Sequence, residues 1–97
     1  LAVGGHGAVS VASNVVPARM KALVDAAREG RLADARAENH EIFPLFRALF
    51  LESNPIPLKT ALAAMGRMEE DLRLPMTPLA ERFRPELLAE LQRLELC

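Results

Sequence analysis

The chain has 97 residues, of which 51% are hydrophobic and 26% are charged, and its formal net charge is −1. It has no basic excess to displace counterions from a nucleic acid and no Trp or Tyr on which bases could stack, so nucleic-acid binding is not expected. No apolar run approaches the ~20 residues of a membrane span, and the single cysteine, Cys97, cannot form an internal disulfide, which favours a reducing, cytoplasmic location.

The first predicted element is a short β-strand at residues 8–11, AVSV, which is rich in β-branched residues. Gly4, Gly5 and Gly7 come just before it. A phosphate-binding glycine loop follows a strand and opens a helix, so glycines ahead of the strand favour a tight turn with positive φ instead.

Four helices are predicted after this strand, because apolar residues recur every three or four positions between prolines and glycines. We expect them at about residues 17–29, 32–51, 57–66 and 82–95. Pro44 lies inside the second and predicts a kink, because it cannot donate to the carbonyl of His40. Residues before proline avoid the α region, so Asn54 and Ile56 are expected to be extended.

A single strand has no partner within this pattern. A buried backbone group without a hydrogen bond costs roughly 1–3 kcal/mol, which four residues cannot offset. We therefore expect an α/β protein in which this chain supplies one strand and about four helices, while the other strands of a parallel sheet lie outside it.

Few side chains suggest chemistry. His6 and His40 lack further ligands at metal-binding spacing, so no metal site is expected. Lys21 and Lys59 both fall on helices and are expected to be surface residues. Ser13 and Asn14 follow the strand, where parallel α/β proteins place their ligands, although the two residues could equally end the strand and cap the next helix.

Three segments carry a resemblance to a known family. They are residues 4–15 (GGHGAVSVASNV), residues 52–59 (ESNPIPLK) and residues 72–79 (LRLPMTPL). In this order, and with helices between them, they resemble the corresponding segments of the dihydrodipicolinate synthase (4-hydroxy-tetrahydrodipicolinate synthase) family. The likeness extends over essentially the whole chain.

The resemblance implies a (β/α)8 TIM barrel followed by C-terminal helices. Residues 1–30 would form the last β/α unit of the barrel, and residues 31–97 the C-terminal helical region. It also implies a class I aldolase-type lyase, a homotetramer without cofactor or metal, that condenses pyruvate with aspartate semialdehyde through a Schiff base in lysine (diaminopimelate) biosynthesis.

The resemblance also implies which site residues the chain holds. The Schiff-base lysine and the tyrosine relay would lie upstream, so this chain alone is expected to be inactive. Val9 would bind substrate through its backbone carbonyl near the pyruvate adduct, with Ser10 beside it. Val3 would lie near the weaker subunit contact. Ala80 departs from the family, which commonly has a capping Ser or Thr there.

Two alternatives remain open from the sequence. One is a sister pyruvate-dependent aldolase, of the N-acetylneuraminate lyase or keto-deoxy-sugar aldolase type. The other is a non-enzymatic helical interaction module that pairs residues 8–11 with the sheet of a partner.

Overall fold

The computed structural model describes all residues from Leu1 to Cys97. It contains four α-helices in chain order: α1 (Pro17–Arg28), α2 (Leu32–Ala48), α3 (Ile56–Ala64) and α4 (Arg84–Arg93). A 3-10 helix precedes α1 at Val11–Asn14, and another precedes α4 at Glu81–Phe83. The chain divides into two compact units, Leu1–Phe43 and Pro44–Cys97.

The predicted strand is not formed. Residues 5–10 have no regular structure, and Val11 belongs to the first 3-10 helix. Residues 5–9 make no backbone–backbone hydrogen bond, so no second segment of the chain pairs with them. The expectation of one strand in this chain is therefore wrong, and every regular element of the chain is helical.

The four predicted helices are confirmed, with shifted ends. Helix α1 begins at Pro17, whose missing N–H has no role in the first turn, and is followed by Gly30 at φ +78°. Helix α2 continues through Pro44 and ends at Ala48, before the predicted end at residue 51. Of the three glycines at the start of the chain, only Gly4 has the positive φ predicted for that turn.

The third helix begins one residue earlier than predicted. The N–H of Ile56 donates to the carbonyl of Ser53 at 2.9 Å, and this bond closes a turn that places Ile56 in α3. The expectation that Ile56 is extended is therefore wrong, because the closed turn outweighs the bias that Pro57 imposes on the residue before it.

The fourth helix is divided at its start. Pro85 has no N–H, so the carbonyl of Glu81 cannot accept an α-helical bond from it. That carbonyl accepts the N–H of Arg84 instead, which makes Glu81–Phe83 a 3-10 turn and delays α4 to Arg84.

The second unit has an aliphatic core. Helices α3 and α4 pack on each other, and the side chains with no exposed surface in this unit are Leu45, Leu49, Ala61, Leu87 and Leu91. Burial of a leucine side chain contributes about 1.5–3 kcal/mol, so the four leucines make a large apolar contribution to the stability of the unit.

The carboxylate of Glu70, in the connector between α3 and α4, is bonded to both helices. Arg84 binds Glu70 through two parallel bonds, Nη2 to Oε1 at 2.6 Å and Nη1 to Oε2 at 3.1 Å. The buried hydroxyl of Thr60 donates to Oε1 at 2.9 Å. Because the Arg84 guanidinium and then the Thr60 hydroxyl stabilise the ionised form, the pKa of Glu70 lies below its usual value.

Two further bonds hold the same connector. Glu52 accepts the backbone N–H of Ala80 on Oε1 at 3.2 Å, and Lys59 donates through Nζ to the carbonyl of Asp71 at 2.9 Å. Residues 65–80 of the connector form no helix or strand, and these side-chain bonds hold them in place.

Glu70→Gln should lower the free energy of unfolding by about 1 kcal/mol near neutral pH, because it weakens a two-bond ion pair. The folded-state pKa of Glu70 is lowered, so its contribution is present above the unfolded value of 4.5 and disappears as the pH falls below it. Urea denaturation of both proteins between about pH 7 and pH 3 measures this difference.

Glu69→Gln is the matched control, because it removes the same charge from the adjacent, exposed position. A difference between the Glu70→Gln protein and the unsubstituted protein that stays constant on acidification would contradict the assignment.

Ala80→Ser should stabilise the chain by about 1 kcal/mol. Ala80 is the N-cap of Glu81–Phe83 and offers no side-chain acceptor to the free N–H groups of that turn, which a serine hydroxyl would supply. Thermal unfolding measures the effect. Ala89→Ser, at an exposed position inside α4, should instead destabilise slightly because serine is a poorer helix former than alanine. Equal effects of the two substitutions would refute the capping argument.

Candidate functional site

The segment singled out by the sequence, residues 9–14, lies where the extended part of the chain ends. The Val9 side chain is completely exposed, and its carbonyl has no backbone partner within the chain. Both the side chain and the carbonyl are therefore available to groups outside the chain. Val3, expected near a subunit contact, is also at the surface with 99% of its area exposed.

Ser10 is the residue at which the chain turns. Its backbone is extended, with φ −141° and ψ 138°. Its hydroxyl accepts the N–H of Ala12 at 3.2 Å, and its carbonyl accepts the N–H of Ser13 at 3.1 Å. Ser10 is thus the N-cap of the first 3-10 helix. Ser10 was predicted as a strand residue beside the pyruvate site, and its capping role was missed, although serine ahead of a short turn is a recognisable capping signal.

Asn14 closes the other end of this turn. Its Nδ2 donates to the carbonyl of Val11 at 3.1 Å. The N-cap of α1 is Val16, which makes no side-chain bond. Neither Ser13 nor Asn14 therefore caps α1, and the capping alternative is wrong for that helix; the structure gives Asn14 a local role within the 3-10 turn.

Ala12 anchors this turn inside the first unit. Only 2% of Ala12 is exposed, and Val15 and Val16 just beyond it are also buried. The 3-10 helix packs on α1, and Arg19 of α1 donates through Nε to Glu38 of α2 at 2.6 Å. The candidate site residues Val9 and Ser10 therefore extend from a packed base.

An open groove of about 330 Å³ lies beside this segment in the first unit. Its lining includes Ser13, Met20 and Val24, and Lys21 and Asp25 form an ion pair in it. The hydrogen bond from Lys21 lowers the pKa of Asp25. The amine of Lys21 is therefore occupied by a carboxylate at an exposed position, which is unlike the environment of a nucleophilic lysine.

The other candidate residues are dispersed. Lys59 is bonded to the carbonyl of Asp71 in the second unit, and His6 and His40 are both exposed. No group of three His, Cys, Asp or Glu side chains could hold a metal ion. None of the helices combines the length and the apolar character needed to cross a bilayer.

Comparison with known proteins gives a consistent result. The sequence model of the dihydrodipicolinate synthetase family matches residues 1–94. A protein from Chlorobium limicola named 4-hydroxy-tetrahydrodipicolinate synthase is 54% identical over 96 residues, which are 99% of this chain and 32% of that protein. A protein of the same name from Nitratidesulfovibrio vulgaris (strain DSM 19637 / Miyazaki F) is 62% identical over 79 residues, which are 81% of this chain and 27% of the relative.

Solved structures agree with these sequences. The crystal structure of dihydrodipicolinate synthase from Thermotoga maritima superposes with a TM-score of 0.96 at 41% identity, over 99% of this chain and 32% of that one. The enzyme from Aquifex aeolicus gives a TM-score of 0.95 at 40% identity, over 98% and 32%. The chain thus spans about a third of the length of the relatives it matches. With a family match that runs from residue 1 to residue 94, it belongs to the dihydrodipicolinate synthetase family.

Proposed function

We propose that this chain acts as the C-terminal third of a 4-hydroxy-tetrahydrodipicolinate synthase. That enzyme would condense pyruvate with aspartate semialdehyde through a Schiff base, in lysine (diaminopimelate) biosynthesis. The proposal depends on one observation, a 54% identity to a protein of that name over 99% of this chain. The upstream part of the enzyme would supply the Schiff-base lysine and the tyrosine relay, because this chain contains no Tyr.

In this proposal residues 5–10, which form no strand within this chain, lie beside strands of the upstream part of a (β/α)8 barrel. The support is physical: residues 5–8 leave their backbone groups without partners inside the chain, and those neighbouring strands would supply them. Residues 1–30 then make up the last β/α unit, and residues 31–97 the C-terminal helical region.

Val9 contributes its backbone carbonyl to the pyruvate site, and Ser10 lies next to it. Barrel enzymes bind substrates at the carboxyl ends of their strands. Val9 lies one residue before the cap that ends the extended segment, which is the position such a site requires. Its unpaired carbonyl is a free hydrogen-bond acceptor for a bound ligand.

The assembly proposed is a homotetramer located in the cytoplasm, with Val3 near the weaker subunit contact. One solved structure at 41% identity is described as the first monomeric dihydrodipicolinate synthase variant. A monomer described as a first example supports an oligomer as the usual state.

The two alternative functions predict different substrates and a different overall architecture. A sister aldolase would share the Schiff base and differ in the aldehyde accepted, so substrate preference separates it from the synthase. A helical interaction module would need no upstream barrel. The match of 99% of the chain to one third of a longer enzyme argues against that module.

The decisive experiment is made on the full-length protein. Its intact mass should be about three times the 10.6 kDa of this chain, and treatment with pyruvate and borohydride should add one reduced adduct. A native mass of 10.6 kDa, or a larger protein without adduct, would overturn the proposal. A preference for another aldehyde over aspartate semialdehyde would favour the sister aldolase.

A second experiment exchanges segments. The 96 matching residues of the Chlorobium limicola relative are replaced by those of this chain. The chimera should retain synthase activity, whereas the relative truncated before the exchange point should have none. A folded but inactive chimera would contradict the proposed equivalence of the two segments.

The 97-residue chain alone should gain no adduct from pyruvate and borohydride. Lys21 is exposed and ion-paired with Asp25, and Lys59 is bonded to a backbone carbonyl, so neither has the desolvated site that a Schiff-base lysine needs. Intact-mass spectrometry measures the outcome. A single adduct that is lost on Lys59→Arg or Lys21→Arg would contradict this assignment.

A further inference from the structure

We propose that residues 68–78 form a strap that opens away from α3 and α4 while the two helices stay packed on each other. The carboxylate of Glu70 holds this strap closed in the structure. The inference is independent of the proposed reaction, because every group involved lies within the second compact unit.

The strap is attached to the helices at two adjacent residues. Its backbone–backbone hydrogen bonds join only residues within it. The hydrogen bonds that leave it are made by the Glu70 carboxylate and by the carbonyl of Asp71. No residue of the strap is buried, and Leu74 near its centre is 85% exposed. Release of Glu70 and Asp71 therefore frees the whole strap at little apolar cost.

The hydroxyl of Thr60 has a second acceptor on its own helix. Its oxygen lies 2.9 Å from Oε1 of Glu70 and 3.2 Å from the carbonyl of Ile56. A hydroxyl has one proton, so it donates fully to one of these oxygens at a time. When Glu70 leaves, the proton turns to Ile56. Because Thr60 is only 2% exposed, this second acceptor avoids the cost of a buried, unsatisfied hydroxyl in the open state.

The guanidinium of Arg84 also has a second carboxylate beside it. Its Nη1 and Nη2 bind Glu70, whereas its buried Nε makes no hydrogen bond and lies 3.2 Å from Oε1 of Glu81. The Glu81 side chain is 90% exposed, so it is free to turn towards Arg84. The two carboxylates thus compete for one cation, and Glu81 is its remaining partner when the strap is open.

The two helices do not depend on the strap for their packing. Ala61 of α3 and Leu87 and Leu91 of α4 have no exposed surface, and all three lie outside the strap. Both side chains that Glu70 releases find acceptors on their own elements. The strap therefore has a closed and an open arrangement that leave the same helical core intact.

Trypsin cleavage after Arg73 in the folded, full-length protein measures the opening. Arg73 lies within the strap, and the cleavage rate follows the population of the open form when opening and closing are fast relative to cleavage. Mass spectrometry of the products gives the rate for this one bond. We expect Glu70→Gln to increase it roughly fivefold, because the charged partner of Arg84 is lost.

Glu81→Gln is the matched variant and should have the opposite effect. It removes the same charge from the other carboxylate beside Arg84, the one that the open form uses. We expect the cleavage after Arg73 to slow roughly twofold, the effect of an exposed ion pair. A rate that is unchanged or faster in Glu81→Gln would show that the two carboxylates do not compete, and would overturn the proposal.

Leu49→Val separates opening of the strap from unfolding of the whole protein. Leu49 has no exposed surface and lies outside the strap, so this substitution should lower the melting temperature and leave the cleavage rate after Arg73 unchanged. A rate that rises with the loss of stability would mean that cleavage requires global unfolding. That result, or a bond that resists trypsin in every variant, would refute the strap.

Discussion

The pairing of backbone N–H and C=O groups is the constraint on which this structure depends. Each helix satisfies most of its groups internally, and the turns between helices use carbonyls close by. Residues 5–9 have no regular structure and no backbone partner, and residues 77–79 of the connector between α3 and α4 also make no backbone–backbone bond. The helices are therefore satisfied within themselves, whereas these irregular stretches depend on other groups for their hydrogen bonds.

Side chains take over where the backbone ladder stops. The Ser10 hydroxyl accepts the N–H of Ala12, which has no backbone acceptor in the first turn of its 3-10 helix. Between α3 and α4, Glu52 accepts the backbone N–H of Ala80, and Glu70 accepts the Arg84 guanidinium and the Thr60 hydroxyl. In both places a side-chain acceptor supports an irregular stretch of backbone.

The helices could be predicted from sequence because their signals are local. Apolar spacing, Pro17 and Gly30 lie within or beside the element they define. The Glu70–Arg84 pair could not, since its partners are 14 positions apart and nothing in either neighbourhood marks them. The strand prediction failed because β-propensity indicates only that the side chains of a segment fit a pleated sheet. It does not indicate whether a neighbouring strand is present to pair with that segment. The role proposed for Val9 comes only from the resemblance, because a backbone carbonyl does not depend on residue type.

The exposed segment at residues 5–9 also has a consequence for handling the protein. An extended stretch with unpaired N–H and C=O groups is a template for edge-to-edge pairing with a second chain, and therefore for aggregation. Three of the first seven residues are glycine, which weakens strand pairing because glycine is disfavoured in strands and offers no side chain to pack. Gly4, Gly5 and Gly7 therefore weaken strand pairing over their part of the segment. Edge-to-edge association is then limited to the few positions around Val9.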